Sequence, residues 1–197
     1  YYYSRFDIPE NFKRESMITN EKNYLKLFKN ATHHKAIGES SPVYLQCPHS
    51  AKEIKKDNPD SKIIISIRNP IEKAHSSYFS YKFMNLDKRS FIEKINLFKK
   101  QFDSNEFYIF NFIEDGYFSK HIKRYQNVFP PENIKILYFE NYIKDIPKHI
   151  KSIQEFLGID VNINFSEKPK NSFRTPRNKV SNLLLQNKTF RDISTKL

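Results

Sequence analysis

Apolar and polar positions change their period along this chain, and the changes mark its elements. Ile63-Ile64-Ile65-Ser66-Ile67 is a β-branched run without strict alternation, which predicts a central parallel strand covered on both faces. Arg68 closes the run. Asn69 can cap a helix, and Pro70 suits a first turn, where a missing N–H is no loss. Ile71, Ala74 and Tyr78 then recur at helical spacing. The unit reads strand, tight turn, helix. In open α/β sheets ligands gather at the carboxyl ends of strands, and the free N–H groups of a helix start there can receive an anion.

The flanking segments extend this pattern. Tyr1-Tyr2-Tyr3 reads as the tail of a strand or a buried loop. A helix is predicted over 20–29, with Tyr24, Leu25 and Phe28 on its apolar face. Ala36 and Ile37 suggest a second short strand, with Glu39 and Ser40 at its end and facing the same crevice as Arg68. A basic helix from His49 or Ser50 through Lys56 and a turn at Asn58-Pro59-Asp60 lead into the central strand, which makes a right-handed crossover unit. Ser90 and Glu93 fit a capping box ahead of a stripe of Phe91, Ile95, Phe98 and Phe102. Phe107 to Phe112 is an aromatic run read as core rather than as a platform for a base. Asp115 is a candidate cap for a helix over Tyr117–Val128, with Phe118, Ile122 and Tyr125 inward. Ile134–Glu140 reads as another strand. Asp145 caps a helix with Pro147 in its first turn, ending at Gly158. A polar loop over 159–172 and a helix carrying Val180, Leu183 and Leu184 complete the chain. Alternating strands and helices predict an α/β fold, a parallel sheet flanked by helices, in a single domain over 1–197.

Composition narrows the functional classes. Eighteen Phe and twelve Tyr among 197 residues supply a real core. No stretch approaches the ~20 apolar residues of a membrane span. One cysteine, Cys47, excludes an internal disulfide and a cysteine zinc cluster, and it fits a reducing, cytoplasmic setting. The net charge of +12 favours an anionic partner. No zinc finger or RNA-binding signature is present, so a nucleic-acid partner is not expected, and no metal site is expected either.

The candidate chemistry lies beside the central strand. Arg68 offers a planar fork of donors, and Ser76 lies about two helical turns on. The plainer alternative is that Arg68 pairs with a carboxylate and Ser76 only packs. Spacing alone leaves both open. Glu39 is either a general base or a structural carboxylate that caps a helix or pairs with a lysine. His75 fits packing within its helix, and His33 and His34 fall in a loop.

The segment Arg68-Asn69-Pro70-Ile71-Glu72-Lys73-Ala74-His75-Ser76-Ser77-Tyr78 resembles the 3′-phosphate-binding segment of sulfotransferases. These enzymes use 3′-phosphoadenosine 5′-phosphosulfate. Their commonest form reads Arg-Asp-Pro-x-Glu-Arg-Ala-x-Ser-x-Tyr, from which Asn69 and Lys73 are mild departures. Gly38-Glu39-Ser40-Ser41-Pro42-Val43-Tyr44-Leu45 resembles a Gly-Glu-Lys-Ser-Pro-x-Tyr-Leu segment of bacterial and glycan sulfotransferases, with Ser40 in place of a common Lys. The block from 117 to 159 resembles the family's second half, so the likeness runs from about residue 1 to about 188. It implies that Arg68 and Ser76 bind the donor's 3′-phosphate, with Arg174, Arg177 and Lys179 closing over it from a basic loop. It implies transfer of a sulfuryl group to a hydroxyl or amine, a glycan among the candidate acceptors; within this chain Glu39 is the visible base candidate.

The family's Lys-bearing strand–loop–helix for the 5′-phosphosulfate has no counterpart here, nor is there a G-x-x-x-x-G-K-[ST] pattern. The expectation is therefore a P-loop-like architecture lacking its N-terminal phosphate-loop unit, with that unit and an acidic base encoded upstream of Tyr1. Two other readings stand beside the enzyme. A nucleotide kinase would need the absent Walker lysine. A non-catalytic basic module would bind nucleotide, sulfated glycan or nucleic acid through one exposed basic face.

Overall fold

The computed structural model describes residues 2–8, 17–83, 89–103 and 111–160. Two strands pair in parallel, β1 (Ile63–Ile67) and β2 (Ile134–Tyr138), in a register that sets Ile63 against Ile134 and Ile67 against Tyr138. Among the described residues the sheet has these two strands. The helices are α1 (Glu21–Lys26), α2 (Ser50–Asp57), α3 (Pro70–Phe83), α4 (Phe91–Asp103), α5 (Phe118–Gln126), α6 (Phe139–Tyr142) and α7 (Ile146–Leu157).

Local chemistry explains most boundaries. Asn69 starts α3, with its side-chain oxygen accepting from the N–H groups of Ile71 and Glu72 at 3.0 and 3.2 Å. The box before α4 is reciprocal: the Ser90 N–H donates to Glu93 at 2.7 Å, and the Glu93 N–H donates to the Ser90 hydroxyl at 3.3 Å. Asp145 accepts from the Lys148 N–H at 3.1 Å, and Gly158 ends α7 in the left-handed region at φ +69°.

Three apolar clusters hold the elements. Tyr2, Tyr3, Tyr24 and Tyr44 pack with Val43 and Cys47, and Tyr2 stacks on Tyr24 at 4.4 Å. Ile65 of β1 meets Ala51 of α2 and Ile122, Tyr125 and Phe129 of α5 and its end. Tyr78 of α3, Phe98 of α4 and Phe112 form the third, with Ala74, Phe91 and Ile95 against it. Tyr2 and Tyr3 thus lie in a buried 3₁₀ turn rather than a strand.

Several expectations need correction. No strand forms over 36–40; Ile37 is exposed, so one apolar pair in a polar stretch buries too little to hold a strand. Ile64 of β1 is 39% exposed among the described residues, so β1 is not covered on both faces there. Leu25 is exposed, and Tyr24 and Phe28 carry the inward face of α1 and its end. Ile71 is 79% exposed. Asp115 does not cap α5; it lies in a 3₁₀ turn, Glu114–Gly116, and Tyr117 precedes the helix without a side-chain cap. The expectations for 104–110 and 161–197, including Arg174, Arg177 and Lys179, fall outside the described residues.

Candidate phosphate-binding turn and adjoining cavity

β1 delivers Arg68 to its carboxyl end, and Pro70 turns the chain straight into α3. The guanidinium does not project freely. Its Nε and Nη2 donate to one Glu72 oxygen at 3.2 and 3.0 Å, a pair four residues apart. Its carbon lies 4.7 Å from the centroid of the Phe139 ring. Arg68 thus meets the carboxylate that the plainer reading foresaw. The pair is open to water, with Glu72 57% exposed, and such pairs hold weakly. Ser76 is exposed one helical turn beyond Glu72, so Glu72 and Ser76 share one face of α3, which Arg68 meets through its pair with Glu72.

The start of α3 differs from the simple anion receptor that sequence suggests. Its N–H groups are already engaged. Asn69 serves those of Ile71 and Glu72, and the Asn69 N–H donates to Glu140 at 2.7 Å. That bond, with help from the nearby Arg68 and Lys144, holds the Glu140 carboxyl below its usual range. Arg68 and the Ser76 hydroxyl remain as the donors an anion could recruit.

A second feature borders β1. A cavity of about 590 Å³ is lined by Glu39, Tyr44, Gln46, Lys73, His121 and residues of β1 among others. Neither Arg68 nor Ser76 lines it, so the structure does not gather Glu39 with them in one pocket. Glu39 accepts from the Tyr24 hydroxyl at 3.3 Å. Burial pushes the hydroxyls of Tyr24 and Tyr44 up, and Glu39 adds to the effect on both. Tyr125 donates to the Tyr44 carbonyl at 2.8 Å, and Arg124 donates to the Gln46 carbonyl, which ties the segment after Glu39 to α5.

Two buried groups escape a sequence reading because their partners are distant or local only in space. His121 is fully buried; it accepts from Arg124 at Nδ1 and donates from Nε2 to the Glu114 carbonyl at 2.8 Å. Burial, reinforced by the Arg124 charge, lowers its pKa. Asp115 pairs with Lys73 at 3.4 Å, and burial pushes its carboxyl up against that lysine's pull. Its spacing suggests a cap; the ion pair depends on α3 meeting the 3₁₀ turn, with Gly116 seated against Pro70. His75 is exposed, its ring 4.6 Å from Phe79, as packing along its own helix requires. Among the described residues no group of three or more His, Cys, Asp or Glu could hold a metal ion, and no helix is long and apolar enough to cross a membrane.

Comparisons with known proteins bear on this arrangement. The crystal structure of a sulfotransferase from Alicyclobacillus acidocaldarius matches with a TM-score of 0.77 over 99% of this chain and 76% of that one. The identity is 24%, so this likeness is one of fold. No curated protein matches the sequence. The sulfotransferase domain model matches residues 3–192, nearly the whole chain. The protein is an enzyme of the sulfotransferase domain family, whose reaction is sulfuryl transfer.

Proposed function

We propose that this enzyme transfers a sulfuryl group from 3′-phosphoadenosine 5′-phosphosulfate to a hydroxyl or amine, and that Arg68 and Ser76 bind the donor's 3′-phosphate. The observation that carries the reading is Arg68 at the end of a parallel strand, paired with Glu72, with Ser76 exposed one turn further along the same face of α3. A phosphate dianion suits it: the guanidinium supplies charge and a planar fork, and a hydroxyl supplies a further donor. The net charge of +12 favours approach of so anionic a donor. Arg174, Arg177 and Lys179 are proposed to add cations to the same phosphate.

Glu39 is the proposed base, on the wall of the cavity beside β1. The acceptor's oxygen or nitrogen forms a bond to sulfur as the bond from sulfur to the 5′-phosphate oxygen breaks. The bisphosphate leaves with that electron pair, and the acceptor's proton passes to Glu39. Anchoring the 3′-phosphate fixes where the sulfuryl end can reach, a contribution of orientation rather than of bond breaking. A glycan acceptor is part of the proposal; the many polar groups of the cavity wall, Ser40, Ser41 and Gln46 among them, suit a hydroxyl-rich substrate.

Calorimetric titration tests the reading. Wild-type protein is expected to bind adenosine 3′,5′-bisphosphate more tightly than adenosine 5′-phosphate. Arg68→Ala is expected to weaken the bisphosphate alone by about 1.5–3 kcal/mol, the range for a hydrogen bond to a charged group. Equal affinities of wild type and Arg68→Ala for the bisphosphate would refute it.

A further inference from the structure

We infer that Glu72 and Phe139 are positioning residues that hold the Arg68 guanidinium in one orientation, with its end-on edge kept open for an oxyanion. The inference rests on the reading of Arg68 as a phosphate ligand and adds how the bare protein prepares it. A guanidinium has a side-on edge, formed by Nε and Nη2, an end-on edge, formed by Nη1 and Nη2, and two flat faces. Glu72 takes the side-on edge with a single oxygen at 3.2 and 3.0 Å. Phe139 covers one face, 4.7 Å away. Among the described residues Nη1 has no hydrogen-bond partner. The edge left over is the one that can grip two phosphate oxygens together.

The sheet explains why Phe139 arrives there. β1 and β2 run parallel with Ile67 opposite Tyr138, so Arg68 and Phe139 leave the sheet side by side. The bond from the Asn69 N–H to Glu140, the neighbour of Phe139, pins the two strand ends together at 2.7 Å. Glu72 comes from the first turn of α3, which Asn69 starts. Two elements, α3 and α6, therefore converge on the side chain that β1 delivers. An unrestrained arginine loses many rotamers when it binds, and a prior restraint removes that loss from the binding step. Glu72 also repels an incoming phosphate, but the pair is exposed and its field is screened by water and salt. The same exposure weakens Glu72's own hold, so the pair and the Phe139 contact together restrain the guanidinium by a modest amount.

The test compares adenosine 3′,5′-bisphosphate with adenosine 5′-phosphate on the full chain. Glu72→Ala and Phe139→Leu should each weaken the bisphosphate about two- to fivefold and leave the 5′-phosphate unchanged. Both effects should vanish when introduced into Arg68→Ala. Glu72 lies on the surface and a leucine retains apolar bulk in place of Phe139, so both variants should keep the wild-type circular dichroism spectrum. If Arg68→Ala weakens the bisphosphate while Glu72→Ala leaves it unchanged or tightens it, the positioning role is wrong and the phosphate assignment stands. Equal loss for both nucleotides would also overturn the inference, because it would mark a structural effect. If Arg68→Ala itself changes nothing, the underlying assignment fails instead.

Discussion

Removing one oxygen atom from Tyr125 tests whether α5 anchors the segment that carries Glu39. The Tyr125 ring is buried against Ile65 and Ile122, near Phe129, and its hydroxyl donates to the Tyr44 carbonyl at 2.8 Å. Tyr125→Phe would keep the ring and its packing, so no cavity beyond the hydroxyl's own volume arises. Tyr44 is itself buried, and its carbonyl would lose this donor. A made hydrogen bond is worth about 0.5–1.5 kcal/mol net, and an orphaned buried acceptor costs about 1–3 kcal/mol. The substitution should therefore lower stability by about 1–3 kcal/mol, a large share of the roughly 5–15 kcal/mol typical of a domain. Urea unfolding followed by circular dichroism is the assay. The midpoint should fall while the slope stays at its wild-type value, since the same surface is exposed on unfolding. Nucleotide binding at Arg68 should not change, because Arg68 does not border this cavity. A loss below about 0.3 kcal/mol would refute the reasoning, since the carbonyl would then have found another partner at no cost.

Two further outcomes follow from buried and backbone features. His121 has a folded-state pKa below its ordinary 6.5, so the unfolded chain binds more protons between the two values and stability rises with pH there. Its contribution should be complete above about 6.5 and lost as pH falls below it; urea midpoints between about pH 7.5 and 5 should show a smaller decline in His121→Gln, and identical pH slopes would contradict this. Gly158→Ala meets no atom of the described residues within 4 Å, so the φ of +69° sets its penalty, about 1–2 kcal/mol in the same unfolding assay.

The parts of the fold legible in the sequence are those set by contacts a few residues apart. The Asn69 cap, the Ser90–Glu93 box and the Asp145-to-Gly158 helix all depend on neighbours within one or two turns, and β1 shows itself by its β-branched run although its partner β2 is distant in sequence. Asp115 misleads because an acidic residue before a helix pattern has the same signature whether it caps or forms a distant ion pair. The Lys73 partner lies 42 residues away. The engaged start of α3 is likewise hidden: Glu140, which takes the Asn69 N–H, is 71 residues downstream and arrives only through strand pairing. His121 shares the inward face of Phe118, Ile122 and Tyr125 by helical spacing, but its partners Arg124 and the Glu114 carbonyl are ordinary residues until α5 is packed. In the candidate site, the motif around Arg68 and Ser76 is readable; that Glu72 already occupies Arg68, and that Glu39 faces a separate cavity, emerges only from the folded chain.

The central claim is that Arg68 and Ser76 are ligands of one phosphate, and a crystal structure of the full chain with adenosine 3′,5′-bisphosphate tests it most directly. The account predicts oxygens of the 3′-phosphate within about 2.7–3.2 Å of Arg68 Nη1 and Ser76 Oγ, hydrogen-bonding distance. It also predicts the guanidinium still flat against Phe139. A 3′-phosphate seated instead in the cavity against Lys73, with Nη1 of Arg68 and the hydroxyl of Ser76 left in solvent, would contradict it.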